Sequence, residues 1–278
     1  MSFNPRLEQR LARILLTAMT LATVLVLLFI IVFVLSRGLP ALSFSFLAEN
    51  PRDMGKTGGI FSTIVGTLVL TMMALLIATP LGVGTAVFLT EYTWENNLTR
   101  VIRFGADCLA GIPSIIFGLF GFILFVIKLR FGWSILSGGL TLAFMILPTI
   151  IRTSEEALRC VPQSYREVST SLGSTRWQMV TRVVLPAALP GIVTGIILSI
   201  GRSIGETAAV IFTAGSSLRL PTSLFSSSRT MSVHFYILAR EGISLPKAYG
   251  TAAVLIIAIL LINLVTYRLM HRFIRRYR

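Results

Sequence analysis

Charge is what this chain has least of. Only 13% of its 278 residues are charged, and acids are the scarcer sign, 11 against 25 basic residues. A water-soluble fold of this length needs far more polar surface, so that class is excluded. Cysteine and histidine are equally sparse, two of each. Cys108 and Cys160 fall on different segments without metal-ligand spacing, which leaves no disulfide framework and no zinc site to expect. His234 and His271 belong to opposite sides of the expected membrane and do not converge on a metal or a catalytic centre. The apolar segments lack the period-two alternation of a barrel wall, which excludes a transmembrane β-barrel. A phosphate-binding loop of the form G-x-x-x-x-G-K-[ST] is also missing, because Gly55-Lys56-Thr57 has neither the preceding strand nor the first glycine.

What the chain has in abundance is apolar length. Hydrophobic residues make up 54% and the mean hydropathy is +0.83. Residues 11–35, 60–90, 101–127, 133–151, 187–213 and 248–270 form runs long enough to cross about 30 Å of hydrocarbon as helices. The expected fold class is therefore an all-α polytopic membrane protein with six transmembrane helices. The first run exceeds the roughly 7–15 residues of a signal-peptide core and reads as a retained helix. Residues 1–59 form this helix plus an outer connector, in which Gly38, Pro40, Pro51, Gly55, Gly58 and Gly59 suit a structured or a flexible segment alike. A five-helix core follows over 60–270.

The formal charge of +14 serves topology rather than nucleic acid. Most basic residues, among them Arg100, Arg103, Arg152, Arg159 and Arg182, lie on segments that an inward N-terminus places inside. Both termini are expected in the cytoplasm of a bacterial inner membrane, with no nucleic-acid partner. The basic tail 271–278 sits where anionic lipid would attract it.

Ionisable groups inside spans are few: Asp107, Arg202 and Glu206. That scarcity disfavours a membrane-embedded enzyme, which needs convergent titratable residues. Gly191 and Gly195, then Gly201 and Gly205, set a close-packing stripe along the fifth span. Arg202 and Glu206 are expected one turn apart on that helix face. A central charge costs about 2.5–3.5 kcal/mol even on low estimates, so the pair implies either mutual neutralisation or a water-filled anion path. In the second reading the guanidinium forks onto an oxyanion while Glu206 keeps the attraction weak enough for release.

Residues 152–186 interrupt the apolar pattern with a polar, charged stretch far longer than a simple connection between spans requires. Three capping-box spacings, Thr153 with Glu156, Ser164 with Glu167 and Thr175 with Gln178, predict short helices over 154–160, 165–172 and 175–184. Gly173 has the freedom to end the middle one in left-handed geometry. Leu172, Trp177, Met179, Val180, Val183 and Val184, with Arg166, Glu167 and Arg176, mix apolar and charged chemistry as a docking surface does; burial against the protein's own bundle is the other reading.

The run Glu167-Val168-Ser169, then Gly173, then Val183 and Leu185-Pro186, resembles the EAA loop of ABC-importer permeases at matching spacings. That resemblance implies a type I importer bundle whose loop seats in a groove of a cytoplasmic ATPase. It assigns ATPase coupling to Arg166, Glu167, Leu172, Gly173, Arg176, Trp177, Leu185 and Pro186. The chain itself would be non-catalytic and bind no cofactor, with ATP and Mg on the partner. Longer runs, Leu147–Arg159, Gly111–Leu119, Leu185–Ile192 and Gly205–Ala208, are similar to the A-type permease subunits of phosphate-specific importers. By that similarity the cargo is inorganic phosphate and the translocation path includes Arg202, Glu206 and Thr207. The expected partners are a paralogous permease, two ATP-binding subunits, an external phosphate-binding protein and membrane lipid. The rival readings are a permease of the same fold for another oxyanion or an amino acid, and an ATP-independent anion channel.

Overall fold

A computed structural model describes residues 5–94 and 96–276, with side chains described from residue 9 to residue 268. The side chains of the basic tail 271–278 thus lie outside the described residues. The apolar runs become helices because hydrocarbon offers no partner for backbone polar groups, which must bond within their own segment. Helix α1 (Pro5–Gly38) meets the last helix, α12 (Leu245–Arg276), where Phe33 packs edge-on to Tyr249 at 6.2 Å. Gly38 is required there, since an added Cβ would fall 2.6 Å from that of Ala253.

The connector is structured. Ser43 caps the short helix α2 (Phe44–Ala48), accepting a hydrogen bond from the Phe46 amide at 3.1 Å. Two short antiparallel strands follow, β1 (Pro51–Arg52) and β2 (Thr57–Gly58), and Lys247 ties them to α12 by donating to the Gly58 carbonyl at 2.6 Å.

The core is built on three helices: α3 (Phe61–Val87), α6 (Ile135–Arg159) and α9 (Leu185–Gly205). Small residues set the approach of α3 to α6, where a Cβ at Gly82 would lie 2.7 Å from the Ile150 side chain. Between α6 and α9, side chains at Gly191 and Gly195 would run into Ala157 and Thr153. Gly201 and Gly205 differ, meeting nothing of this chain within 4 Å. Leu70, Phe117, Leu142, Ile146, Ile150 and Val210 fill one buried cluster; Leu158, Val161, Met179, Val180, Val184 and Ile192 fill a second beneath the polar stretch.

Five helices are long and apolar enough to span: Gln9–Ala41, Phe61–Tyr92, Ile135–Arg159, Arg176–Gly205 and Leu245–Arg268. The expected third span is not one straight helix. It comprises α4 (Asn97–Ala110) and α5 (Ser114–Gly121), the latter continued by π-helical turns to Lys128, and the two parts bend by 103°. The break is at Gly111-Ile112-Pro113, where proline lacks the amide a continuing helix needs. Counting the bent pair as one crossing restores six.

The fifth span also differs from expectation. Its helix begins at Arg176 with α8 (Arg176–Met179) and continues through π-helical Val180–Val184 into α9. It stops at Gly205, and the short helix α10 (Ala208–Thr213) resumes after an extended Glu206. The stretch 214–247, expected as an outer loop, holds helix α11 (Met231–Arg240) and buries Ser228, Arg229, Thr230 and His234, so much of it is packed.

Candidate functional site

The polar stretch 152–186 resolves into three unequal parts. Arg152–Arg159 completes α6, whose Ser154, Glu155 and Leu158 are buried. No helix starts at Thr153, because its hydroxyl is used inside α6, donating to the Thr149 carbonyl at 2.8 Å. The second expected start is also displaced: α7 (Gln163–Ser171) has Pro162, not Ser164, at its cap. The third is present. Thr175 and Gln178 form both halves of a capping box, at 3.3 and 3.0 Å, at the beginning of α8.

Helix α7 closes on Gly173 at φ +81°, with the Gly173 amide bonded to the Thr170 carbonyl and the Ser174 amide to that of Ser169. Glycine suits this left-handed position because it has no Cβ to clash. The Ser174 hydroxyl adds a bond to the Ser169 carbonyl at 2.7 Å. These bonds make the turn between α7 and α8 a defined corner.

The structure divides the candidate docking residues. Leu172 and Trp177 are 83% and 67% exposed, and Glu167, Gly173 and Arg176 are exposed beside them. Met179, Val180 and Val184 are instead buried in the bundle, while Val183, Leu185 and Pro186 are half-covered. Burial against the bundle therefore holds for Met179, Val180 and Val184, while Glu167, Leu172, Gly173, Arg176 and Trp177 face outward.

Arg166 points inward. Its guanidinium grips Glu91 at 2.6 Å and donates to the carbonyls of Val161 at 2.7 Å and Leu158 at 2.9 Å. Glu91 lies in the π-helical turns Phe88–Tyr92 that finish the α3 span. One side chain thus pins α7 to the ends of α3 and α6. Sequence reasoning missed Glu91; the signal was an acid at the end of an apolar run in a chain with so few acids.

A second ionic group lies alongside. Glu155, with its side chain 4% exposed, accepts from Arg103 at 2.7 Å and Arg159 at 2.8 Å, and Arg152 approaches at 3.5 Å. Arg152 also holds Asp107 through Nε at 2.7 Å. Arginines counted for topology therefore tie α4 to α6, and a buried carboxylate met from three sides is well neutralised.

The expected Arg202 and Glu206 pair does not form. Glu206 lies beyond the end of α9, so the two do not share a helix face, and no ion pair joins them among the described residues. Glu206 Oε1 instead accepts from the Ala209 amide at 3.2 Å at the start of α10, and its carbonyl accepts from the Ser232 hydroxyl at 2.6 Å. Arg202 sits in the last turn of α9 and Thr207 caps α10. All three are half-buried around the break.

An exposed polar helix thus lies between two core spans, pinned to the bundle by Arg166 and ended by Gly173. The matching family model is the binding-protein-dependent transport system inner membrane component, over residues 78–278. The chain belongs to this family.

It is thus the permease subunit of a binding-protein-dependent ABC importer, a multi-pass inner-membrane protein of a non-catalytic kind whose ATPase is a separate subunit. A probable ABC transporter permease protein, YqgI of Bacillus subtilis (strain 168), is 35% identical over 266 residues, 90% of each chain. The phosphate transport system permease protein PstA of Haemophilus influenzae is 30% identical over 84% of this chain and 83% of its own. PstA 1 of Mycobacterium tuberculosis (strain H37Rv) is 34% identical over 74% and 68%. Among solved structures, a bacterial alginate ABC transporter in complex with an alginate pentasaccharide-bound periplasmic protein superposes with a TM-score of 0.67, at 18% identity, over 96% of this chain and 98% of that one. The MetNI methionine ABC transporter gives 0.60 at 21% identity, over 77% and 94%. At such identities these structures share the fold of this permease.

Proposed function

We propose that this permease carries inorganic phosphate, with a path formed by residues 60–270 and ATP hydrolysis supplied through α7. The observation that carries the coupling role is the exposure of Glu167, Leu172 and Trp177 on an element whose base Arg166 ties to α3 and α6. Force applied to α7 passes through that ion pair and the Thr175 corner into the helices of the core. Gly173, Arg176, Leu185 and Pro186 complete the lever, the last two where the corner enters the α9 rod. The face bearing α7 and both termini is cytoplasmic. Two ATP-binding subunits grip that side, a paralogous permease completes the pore, and an external phosphate-binding protein delivers the cargo.

Phosphate as cargo is supported by the relatives named phosphate transport system permeases, at 30% and 34% identity. The break between α9 and α10 gathers Arg202, Glu206 and Thr207 in a partly open position, where a guanidinium suits an oxyanion and backbone is freed from helical bonding. Because Glu206 is engaged with α10, the Arg202 guanidinium is left to donate to the passing ion.

The test is ATP hydrolysis and uptake by the reconstituted complex. Phosphate-loaded binding protein stimulates hydrolysis, Glu167→Ala loses that stimulation, and Arg202→Ala assembles but takes up no phosphate. Stimulation by a different solute would move the cargo; uptake without ATP would make the protein a channel.

A further inference from the structure

A cleft of about 450 Å³ opens at the root of α7, between the end of the α3 span, the last turn of α6 and the starts of α7 and α8. Arg159, Arg166 and Arg176 line it, and among the described residues the carboxylate in the lining is Glu91, which Arg166 already holds. Arg159 gives one nitrogen to Glu155 and is otherwise half-exposed. Arg176 has no hydrogen-bond or ionic partner among the described residues and is exposed. Among the described residues the lining therefore carries more cationic than anionic side chains.

Two further facts point the same way. Gln163 and Arg176, both in the lining, are the first residues of α7 and of the continuous helix that runs from Arg176 to Gly205. The start of α7 has no side-chain cap, and helix starts carry a partial positive charge, so cations beside them are electrostatically misplaced unless an anion joins them. Trp94, also in the lining and 85% exposed, follows the last residue of the Phe61–Tyr92 span, which puts the mouth at the level of the membrane boundary.

We propose that this cleft binds one phosphate-type oxyanion, held by Arg159 at the end of α6 and Arg176 at the start of α8, beside the start of α7. Forked guanidinium donors match phosphate oxygens, and basic pockets at the ends of spans are suited to lipid headgroups. The phosphate group comes from an anionic phospholipid or from free inorganic phosphate. In either case the bound anion bridges α7 to the helix that leads toward Arg202 and stiffens the corner between them. The site is distinct from the α9–α10 break, and its existence does not depend on which solute is transported.

The test uses the complex purified in phosphate-free maltoside micelles with two probes. Native mass spectrometry reads retained phosphatidylglycerol against phosphatidylcholine, and equilibrium dialysis reads radiolabelled inorganic phosphate. At least one probe binds, and Arg176→Gln weakens it by about tenfold, as loss of a charge-assisted hydrogen bond does. Arg159→Gln acts in the same direction. Selective retention of phosphatidylglycerol identifies a headgroup, and binding of phosphate alone identifies the free ion. Absence of both in the unaltered complex, or equal binding to Arg176→Gln and Arg159→Gln, overturns the proposal. It is also overturned if a cysteine placed at Gln163 cross-links to the ATPase and neither probe enters, because the cleft is then a seat for protein.

Discussion

Glu155 is the acid that the bundle can least do without. Arg103, Arg152 and Arg159 converge on its buried carboxylate, so replacing it leaves three cations facing one another. Glu155→Gln is expected to cost about 3–5 kcal/mol, the penalty of breaking a buried ionic group, read as a lower melting temperature of the solubilised complex. His234 gives the second residue-scale expectation. Burial first, then the charges of Arg229 and Lys247, pull its pKa down to about 4. Arg229, itself pushed below its ordinary value by burial, only donates, so the 3.4 Å contact needs an unprotonated His234 Nδ1. The unfolded chain binds this proton below about pH 6.5 and the folded one only near 4, so stability falls as pH drops between those values. The loss is on the order of 3 kcal/mol, and His234→Gln flattens that limb of a melting-against-pH profile. Neither group was legible in sequence, because Glu155 fell within a short helix expected over 154–160 with no partner assigned and His234 within a loop. Their meaning comes from partners distant along the chain.

At the scale of elements, α7 is the piece whose geometry is most local and therefore most predictable. Gly173 ends it as its spacing implies, with positive φ and a hydrogen-bonded corner. Gly173→Ala strains that corner by about 1 kcal/mol. The site is exposed and a Cβ there meets nothing within 4 Å, so melting changes little. The ratio of cargo moved to ATP hydrolysed is expected to fall, since the corner sets the angle between α7 and the following helix. Of the three capping boxes, the Thr175 one formed because the chain arrives there extended from a turn. The Thr153 one did not, because the residues around it are buried in α6 and the helix has no reason to stop. A capping spacing states what a helix start needs, and burial decides whether the chain starts one there. The same distinction explains the third span, where proline marked a break but only packing set its 103° bend.

At the scale of the whole molecule, the glycine stripe on α9 separates into two functions. Gly195→Ala forces a methyl group into Thr153 on α6 and is expected to lower the yield of assembled permease, measured by size-exclusion chromatography. Gly201→Ala meets only open space in this chain and is expected to leave its folding intact. An assembly defect confined to Gly201→Ala would place a second subunit against that half of the stripe. The all-helical membrane class, the polar segment between two spans and the spacing of Glu167, Gly173 and Leu185-Pro186 were determined by sequence alone. The reason is physical: lipid demands long apolar helices and a helix end demands its cap, both local requirements. Tertiary structure alone decided that Arg166 faces Glu91, that Arg202 and Glu206 separate, that Met179 and Val184 are core while Leu172 and Trp177 are surface, and that three arginines border one cleft. Those outcomes depend on which helix lies beside which, and a charge or a methyl group has no partner until the chain has brought one to it.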